Sequence, residues 1–413
     1  MMTDLSNLPF PVILLLLVFF AIAIRKVGNV RLPIWLVMLV AAILVLLTGD
    51  ISLQQAAAAI SFDVIFYLMG VFTIGRALEE SHALETWLLW GLGKAANIKV
   101  LLVMIIAANS VVSIFLMNDT AAIIGTPVLI FLAKKIRCPL IPLLLTLAFT
   151  ITLSSVTSPV GNPQNLLIAN EMENPIVSFF RYLFLPTALN LVVLFFYIII
   201  CFRNQLNFQK LKEIPEVPVD EKLAFWAKIS VALLTCLIIL KAVIGFWKES
   251  IALPFSAIAV VAAAPILLFH KKRWRVLKNI DWYTIAFFIA LFIFMESVWL
   301  SDYFQQLIEV LHLTMTNKGT IVGVSLLLSQ FISNVPLVAL YLPFLSQGAT
   351  ENYLLLAMAS TIAGNCLILG AASNVIIIQA AEKRNEKPFS FLQFMGYGLP
   401  LTAIQVGIYW LFF

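Results

Sequence analysis

The chain has 413 residues, 62% of them apolar and only 11% charged, with a net charge of +5 and a mean hydropathy of +1.03. Soluble domains carry about a quarter charged residues, so this composition excludes an ordinary soluble enzyme or nucleic-acid-binding domain. It predicts an all-α polytopic membrane protein in contact with a lipid bilayer.

The first apolar run covers 8–24. It ends in Ala21-Ile22-Ala23, which imitates a signal-peptide cleavage site. The preceding "MMTDLSNLPF" has no basic residue, however, and Arg25 and Lys26 follow as a stop would, so a retained span is expected. Spans follow near 31–48 and 62–79. Residues 100–133 are apolar with a polar break at Asn118 and Asp119, a length that suits two half-depth helices joined at a tip. That is the pattern of a re-entrant hairpin. The run 140–172 exceeds one straight crossing and is broken at 158–163 by "SPVGNP". A span near 177–202 follows. The stretch 203–223, "RNQLNFQKLKEIPEVPVDEKL", is polar with two Pro and reads as a solvated linker. Beyond it come spans near 224–246, 251–269 and 281–299, a second hairpin at 319–347, a second broken run at 350–382 with its break at 370–373, and a last span at 388–412. Segments 80–97 and 301–316 alternate polar and apolar residues like interfacial helices.

The basic residues test this layout, because Lys and Arg favour cytoplasmic loops. With the N-terminus outside, all but Arg181, Lys241, Lys248 and Lys318 of the 26 basic residues fall in inner loops. If either hairpin crossed fully, every later loop would flip and the asymmetry would be lost. Ten crossings plus two re-entrant hairpins are therefore expected, with both termini outside the cytoplasmic membrane.

The chain also repeats. "SIFLMNDTAAIIGTPVLIFL" has Ser113, Asn118 and Pro127, and "SQFISNVPLVALYLPFL" has Ser329, Asn334 and Pro343 at the same spacing. "GNPQNLLIA" has Gly161 and Asn165, matched by Gly370 and Asn374 in "GAASNVIIIQA". Asp63 in "FDVIFYLMG" mirrors Asp281 in "IDWYTIAFF". Each unit, 1–202 and 224–413, has five crossings and a hairpin. Five is odd, so the second unit is inverted relative to the first.

Unwound backbone inside a bilayer is tolerated only where protein or a water-filled cavity covers it. Inverted repeats with broken helices are the recurring solution in secondary transporters. Helix N-termini at such breaks suit anions, while free carbonyls with Asn and Ser oxygens suit Na⁺. The candidate substrate- or ion-binding residues are therefore Asn118, Asp119, Thr120, Ser158, Gly161, Asn162, Asn165, Ser333, Asn334, Gly370, Ser373 and Asn374. The competing reading makes them kinks whose amides satisfy neighbouring backbone. Asp119 is the only acid at a tip. It is a coupling residue, a cap of the returning helix, or both. Glu296, within the span 281–299, is a second coupling acid or a scaffold contact. Asp63 and Asp281 begin their spans and read as helix caps before ligands.

No catalytic residues, organic cofactor or transition-metal site is expected. The Cys and His residues are scattered, and no nucleotide-binding or hydrolytic motif occurs. The coupling ion would be Na⁺ or H⁺.

With "MNDTAAIIGTP", "TSPVGNPQNLLIA" and "SNVPLVALYLP" in place, the chain resembles the ion transporter superfamily across nearly its whole length. It is most similar to ArsB/NhaD-type anion permeases and more distantly similar to the divalent anion:sodium symporters. In the symporters each tip reads Ser-Asn-Thr. Here the tips read Met117-Asn118-Asp119-Thr120 and Ser333-Asn334-Val335, so the arsenite-permease and sodium/proton-antiporter side is the better match. The resemblance implies an elevator-type carrier, usually a homodimer, with spans 1–3 and 6–8 as scaffold. The expected function is secondary transport of a small anion or an oxyanion such as arsenite. The alternatives are a sodium/proton antiporter and, from another class, an ion channel.

Overall fold

The computed structural model describes residues 8–24, 26, 27, 30, 31, 33–206, 218–246, 253–310, 314–345 and 349–413. Most of the expected linker, 207–217, lies outside the described residues. Apart from a two-residue antiparallel pairing of Lys26–Val27 with Val30–Arg31, the regular structure described is helical.

The first half holds α1 (Phe10–Ile24), α2 (Ile34–Thr48), α3 (Leu53–Ala59), α4 (Phe62–Ser81), α5 (Ala83–Leu92), α6 (Ile98–Leu116), α7 (Asn118–Ile136), α8 (Leu140–Ser155), α9 (Pro163–Asn170) and α10 (Pro175–Phe202). The second holds α11 (Glu221–Phe246), α12 (Phe255–Phe269), α13 (Arg273–Lys278), α14 (Trp282–Leu300), α15 (Tyr303–Val310), α16 (Lys318–Ile332), α17 (Asn334–Leu345), α18 (Thr350–Ile362), α19 (Ala372–Glu382) and α20 (Phe391–Trp410).

Several starts are set by side chains that accept the otherwise orphaned N–H groups of a first turn. Asn97 accepts from Val100 N at 3.0 Å to open α6. Asn317 accepts from Gly319 N at 2.9 Å to open α16. Asn162 accepts from Asn165 N at 2.8 Å to open α9, where Pro163 fills a position needing no donor.

Among the described residues, five single helices are long and apolar enough to cross a bilayer: α6, α10, α11, α14 and α20. The pair α3 and α4, bent by 52°, makes a sixth candidate. Helix α6, although long enough, is the first arm of the expected hairpin. The remaining expected spans are shorter helices or broken pairs, so length alone does not give ten crossings.

Packing is reciprocal between the halves. Helix α4 packs on α12 and α2 on α14. Gly70 makes the first contact possible: a Cβ there would lie 2.6 Å from the Ala259 backbone. Hairpin α6–α7 packs on α8, and α16–α17 packs on α18. The returning helices then cross over, α7 against α19 and α17 against α9. The two broken helices are thereby held face to face at the centre.

Two expectations need correction. The second break was expected at 370–373, but α18 ends at Ile362 and the irregular segment is 363–371, with short 3-10 turns. Side chains from neighbouring segments hold its carbonyls. Gln330 Nε2 donates to Ala363 O at 2.9 Å and Asn374 Nδ2 to Gly364 O at 2.8 Å. Asp63 does not cap its own helix. Its carboxylate accepts from Ser256 N at 3.0 Å and from Ser256 Oγ, so it caps the neighbouring α12. Asp281 does cap its own helix, accepting from Thr284 N at 3.0 Å.

Candidate functional site

The tips of the two hairpins share an unusual backbone. Met117 has φ 70° and ψ 150°, and Ser333 has φ 69° and ψ 162°. This region is almost reserved for glycine and costs about 1–3 kcal/mol per residue. Surrounding contacts must hold each tip there. At the first tip, Asn118 N donates to Gly161 O at 2.9 Å, tying it to the first break. Ser158 Oγ donates to Ile114 O at 2.7 Å and Ser113 Oγ to Ile151 O at 2.7 Å. Gly161 is required there, since a Cβ would meet Ser155 O at 2.7 Å.

Behind the tips the breaks are braced by amides. Asn165 Nδ2 donates to Ser155 O and Ser158 O, both at 3.0 Å, and Oδ1 accepts from Thr361 Oγ1 at 3.2 Å. Asn162 Nδ2 donates to Ser155 Oγ at 3.0 Å and to Thr361 Oγ1 at 3.2 Å. Thr361 belongs to α18, so the first break is stitched to the second half. The second break leaves more acceptors open: Asn374 Oδ1, Ser373 Oγ and Gln330 Oε1 are buried with no hydrogen-bond partner among the described residues.

In front of the tips lies a cavity of about 670 Å³. The hairpin tips contribute Asn118, Asp119, Ser333, Asn334 and Val335. The breaks contribute Pro163, Gln164, Ala371 and Ala372, and α19 adds Val375 and Gln379. Trp35, Asp281, Tyr283, Thr284, Phe287 and Phe288 add lining from α2 and α14. Trp35 and Tyr283 stack there with centroids 5.0 Å apart. A second cavity of about 430 Å³ adjoins it, lined by Arg76, Glu79, Thr120, Asn279, Lys383 and Arg384 among others. Asp119, Asp281 and Gln379 line both.

The charge pattern is one-sided. The larger cavity holds two acids and no basic side chain. Asp281 is engaged with Thr284 through N–H and Oγ1, at 3.0 and 2.6 Å. Asp119 lies in the first turn of α7, and no hydrogen bond or ion pair reaches its carboxylate among the described residues. It is not the helix cap, because the capping position is Met117 and no side chain there accepts a bond. The oxygens Asn118 Oδ1 and Asn334 Oδ1 are likewise buried and unpartnered.

Of the residues singled out from sequence, Asn118, Asp119, Ser333 and Asn334 meet in the cavity wall, and Thr120 lines the adjoining one. Ser158, Gly161, Asn162, Asn165, Gly370, Ser373 and Asn374 line neither cavity and stand behind the tips as packing and bracing. Glu296 is half-buried on α14 and also lines neither. Sequence reasoning missed Gln164, Gln379 and the cavity-facing role of Asp281. Gln164 sits inside the motif "GNPQN", so its signal was present. Nothing local distinguishes Gln379. Among the described residues no cluster of His, Cys, Asp and Glu could hold a metal through three or more side chains.

A set of matched tips, crossed returning helices and a central cavity belongs to transporter architecture, and comparison with known proteins agrees. The citrate transporter family, CitMHS, matches residues 15–353. The chain belongs to this family. The family lies in the ion transporter superfamily to which the motifs pointed. An uncharacterized transporter of Synechocystis sp. is 24% identical over 90% of both chains. A protein of Dictyostelium discoideum that carries the name transporter arsB is 21% identical over 90% of this chain and 85% of its own. The crystal structure of the YdaH transporter of Alcanivorax borkumensis superposes with a TM-score of 0.61 at 12% identity, covering 98% of each chain, which shows a shared fold. This family member is a multi-pass membrane protein and a secondary transporter.

Proposed function

We propose that this family member moves a small anion or oxyanion across the cytoplasmic membrane, coupled to Na⁺ or H⁺. The observation that carries the reading is the meeting of Asn118 and Asn334 in one cavity beside Asp119. Two amides at matched tips offer both donors and acceptors to a substrate that presents oxygens. Carboxylates of the citrate class and neutral oxyacids such as arsenite both fit that chemistry.

Charge selects the coupling. A free polyanion entering a cavity with two acids and no base is repelled, and the effect is strong where water is scarce. A substrate that arrives neutral, or together with Na⁺ or H⁺ held at Asp119, avoids that penalty. Lys383 and Arg384 in the adjoining cavity supply the positive potential that draws an anion toward the entrance.

The reciprocal packing supports two inverted units, 1–202 and 224–413, with hairpins that enter from opposite faces. Helices α1, α2, α4, α11, α12 and α14 then form the scaffold. The hairpins and broken helices move as the carrying unit of a homodimeric elevator. In this arrangement the inner loops carry most of the basic residues and both termini lie outside. The alternative of sodium/proton exchange without a substrate draws on the unpartnered Asp119, but it leaves the paired tip amides without a role.

The test is transport by the purified chain in proteoliposomes under imposed Na⁺ and pH gradients, with citrate, other small carboxylates and arsenite as the panel. Substrate accumulation that follows one of the two gradients is expected. Cation exchange with no panel member moving would favour the antiporter, and ohmic uncoupled current would favour a channel.

A further inference from the structure

We propose that Asp281 on α14 is the second carboxylate of a Na⁺ site whose first carboxylate is Asp119 on the hairpin tip, with the Gln164 amide oxygen as a neutral ligand. The proposal deepens the transport reading above, on which it rests, by assigning the coupling cation and its ligands in the arrangement seen here.

Three observations converge. Asp119 and Asp281 come from different halves of the chain, yet both line the large cavity and the one adjoining it. Two carboxylates facing one partly desolvated space repel each other unless a cation or proton sits between them. Asp119 has no hydrogen bond or ion pair among the described residues to offset its charge. Gln164 is the independent observation. It is 3% exposed, it lines the large cavity, and no hydrogen bond reaches its side chain among the described residues. Its amide opens on the cavity with no partner in the protein among the described residues, so its carbonyl oxygen is free to accept a cation.

The ligand type and charge point to Na⁺. Carboxylate and amide oxygens are hard donors and suit hard cations. Asp281 caps α14, so the positive helix N-terminus offsets part of its charge. The pair therefore presents less than two full negative charges, which matches a monovalent ion better than a divalent one. Each Asp281 oxygen already accepts one bond from Thr284, at 3.0 and 2.6 Å, and retains a lone pair for a cation. The charged groups that share the adjoining cavity do not replace the cation. Arg76 is engaged by Glu79 at 2.8 Å and Glu80 at 3.0 Å, and Arg384 donates to Ala380 O at 3.1 Å. Lys383 lines the adjoining cavity with both carboxylates but forms no ion pair with either among the described residues.

Because Asp281 belongs to the scaffold and Asp119 to the hairpin, the shared site exists only while the tip faces the N-terminus of α14. It acts as a station where the cation is handed between the carrying unit and the aqueous entrance. In the second hairpin Val335 stands where Asp119 stands in the first, so the handover has no counterpart there.

The test is equilibrium binding of radioactive ²²Na⁺ to the full chain in lipid nanodiscs. Asp281→Asn keeps the helix cap, since Asn caps as well as Asp, and removes the charge. A Kd for Na⁺ weakened by about tenfold or more is expected, with an unchanged thermal midpoint, and Asp119→Asn should weaken it similarly. Asp281→Ala, which loses cap and charge together, separates the two roles. Wild-type affinity in Asp281→Asn with loss only in Asp281→Ala would make the residue a cap and overturn the proposal. So would the absence of Na⁺ binding in the wild type, or displacement of the bound ion by Mg²⁺ at lower concentration than by Na⁺. Proteoliposome flux keeps the two readings apart. Substrate flux driven by a proton gradient with no Na⁺ binding removes the site and leaves the transport reading. Na⁺ binding lost in Asp281→Asn, with no panel substrate moved, does the reverse.

Discussion

Asn165 and Asn374 make the same hydrogen bond in the two broken helices. Each side-chain nitrogen donates to the carbonyl ten residues before it, Ser155 O at 3.0 Å and Gly364 O at 2.8 Å. The halves differ beyond that bond. Asn165 Oδ1 accepts from Thr361 and its nitrogen also reaches Ser158 O, whereas Asn374 Oδ1 is buried and unpartnered.

That difference predicts an order of stability. Asn165→Ala removes three bonds, each worth about 0.5–1.5 kcal/mol, and leaves Ser155 O and Ser158 O only their longer backbone bonds, from Ser158 N at 3.3 Å and Gly161 N at 3.2 Å. Asn374→Ala removes one bond and also deletes an acceptor that had no partner. Thermal unfolding in detergent should therefore show Asn165→Ala clearly less stable than Asn374→Ala. Equal midpoints, or the reverse order, would mean that the two breaks are not braced as described.

Asn118 and Asn334 should behave in the opposite way. Their side-chain oxygens satisfy nothing in the protein, so truncation to Ala loses little folding energy. Transport should fall by about ten- to hundredfold in apparent affinity, as for one lost substrate bond of about 1–3 kcal/mol. Proteoliposome kinetics beside a melting curve separate the two effects. Normal kinetics in both variants would reduce these residues to structural kinks.

Asp119→Asn keeps the shape of the first turn of α7 and fixes the charge at zero. The variant should fold and still exchange substrate at equilibrium, but lose accumulation driven by a Na⁺ or pH gradient. The measurement is gradient-driven flux against equilibrium exchange in the same vesicles. Full accumulation by the variant would move the coupling role to another acid, with Asp281, the other carboxylate of the cavity, examined before Glu296.

Ser333 holds a backbone conformation that glycine adopts at no cost. Ser333→Gly should raise stability by up to about 1–3 kcal/mol through relief of strain, less the cost of a more flexible unfolded chain. The strain, once relieved, also loosens the second tip, so transport should weaken while the melting temperature rises. A drop in melting temperature would show that the tip is not strained.

Asp220 gives a pH dependence outside the membrane. Its carboxylate is bonded to Lys272 and accepts from Leu223 N at 3.2 Å, and the Lys272 bond holds its pKa below the usual carboxylate value. A depressed pKa means that the stabilisation is full above the unfolded value, near 3.9, and is lost as pH falls through the folded value. The pair is largely exposed, so its worth is at most about 1 kcal/mol. Wild type should exceed Asp220→Asn by that small margin at neutral pH, and the two unfolding curves should converge in acid. A margin that persists in acid would assign the effect to something other than the charge.

The sequence by itself determined the class, the apolar helices and the positions of the first break and both tips. Those features rest on local quantities. Apolar runs set helix length, and Pro163, Gly161 and the Asn residues cannot continue a lipid-exposed helix, whatever surrounds them. The matched spacings of Ser113, Asn118 and Pro127 with Ser329, Asn334 and Pro343 were equally legible. Tertiary structure decided the rest, because it depends on which groups find partners across the fold. The second break begins at Ala363 rather than Gly370, since Gln330 and Asn374 hold the carbonyls of 363 and 364. Asp63 caps α12 rather than α4 because Ser256 lies beside it. Asn162, Asn165 and Asn374 brace the breaks instead of facing the cavity, a distinction that residue type cannot make, because an amide serves a carbonyl or a substrate with the same atoms. Asp281 reads in sequence as a cap before a ligand. The packing of α14 against α2, α4 and α17 brings its carboxylate to the same cavities as Asp119.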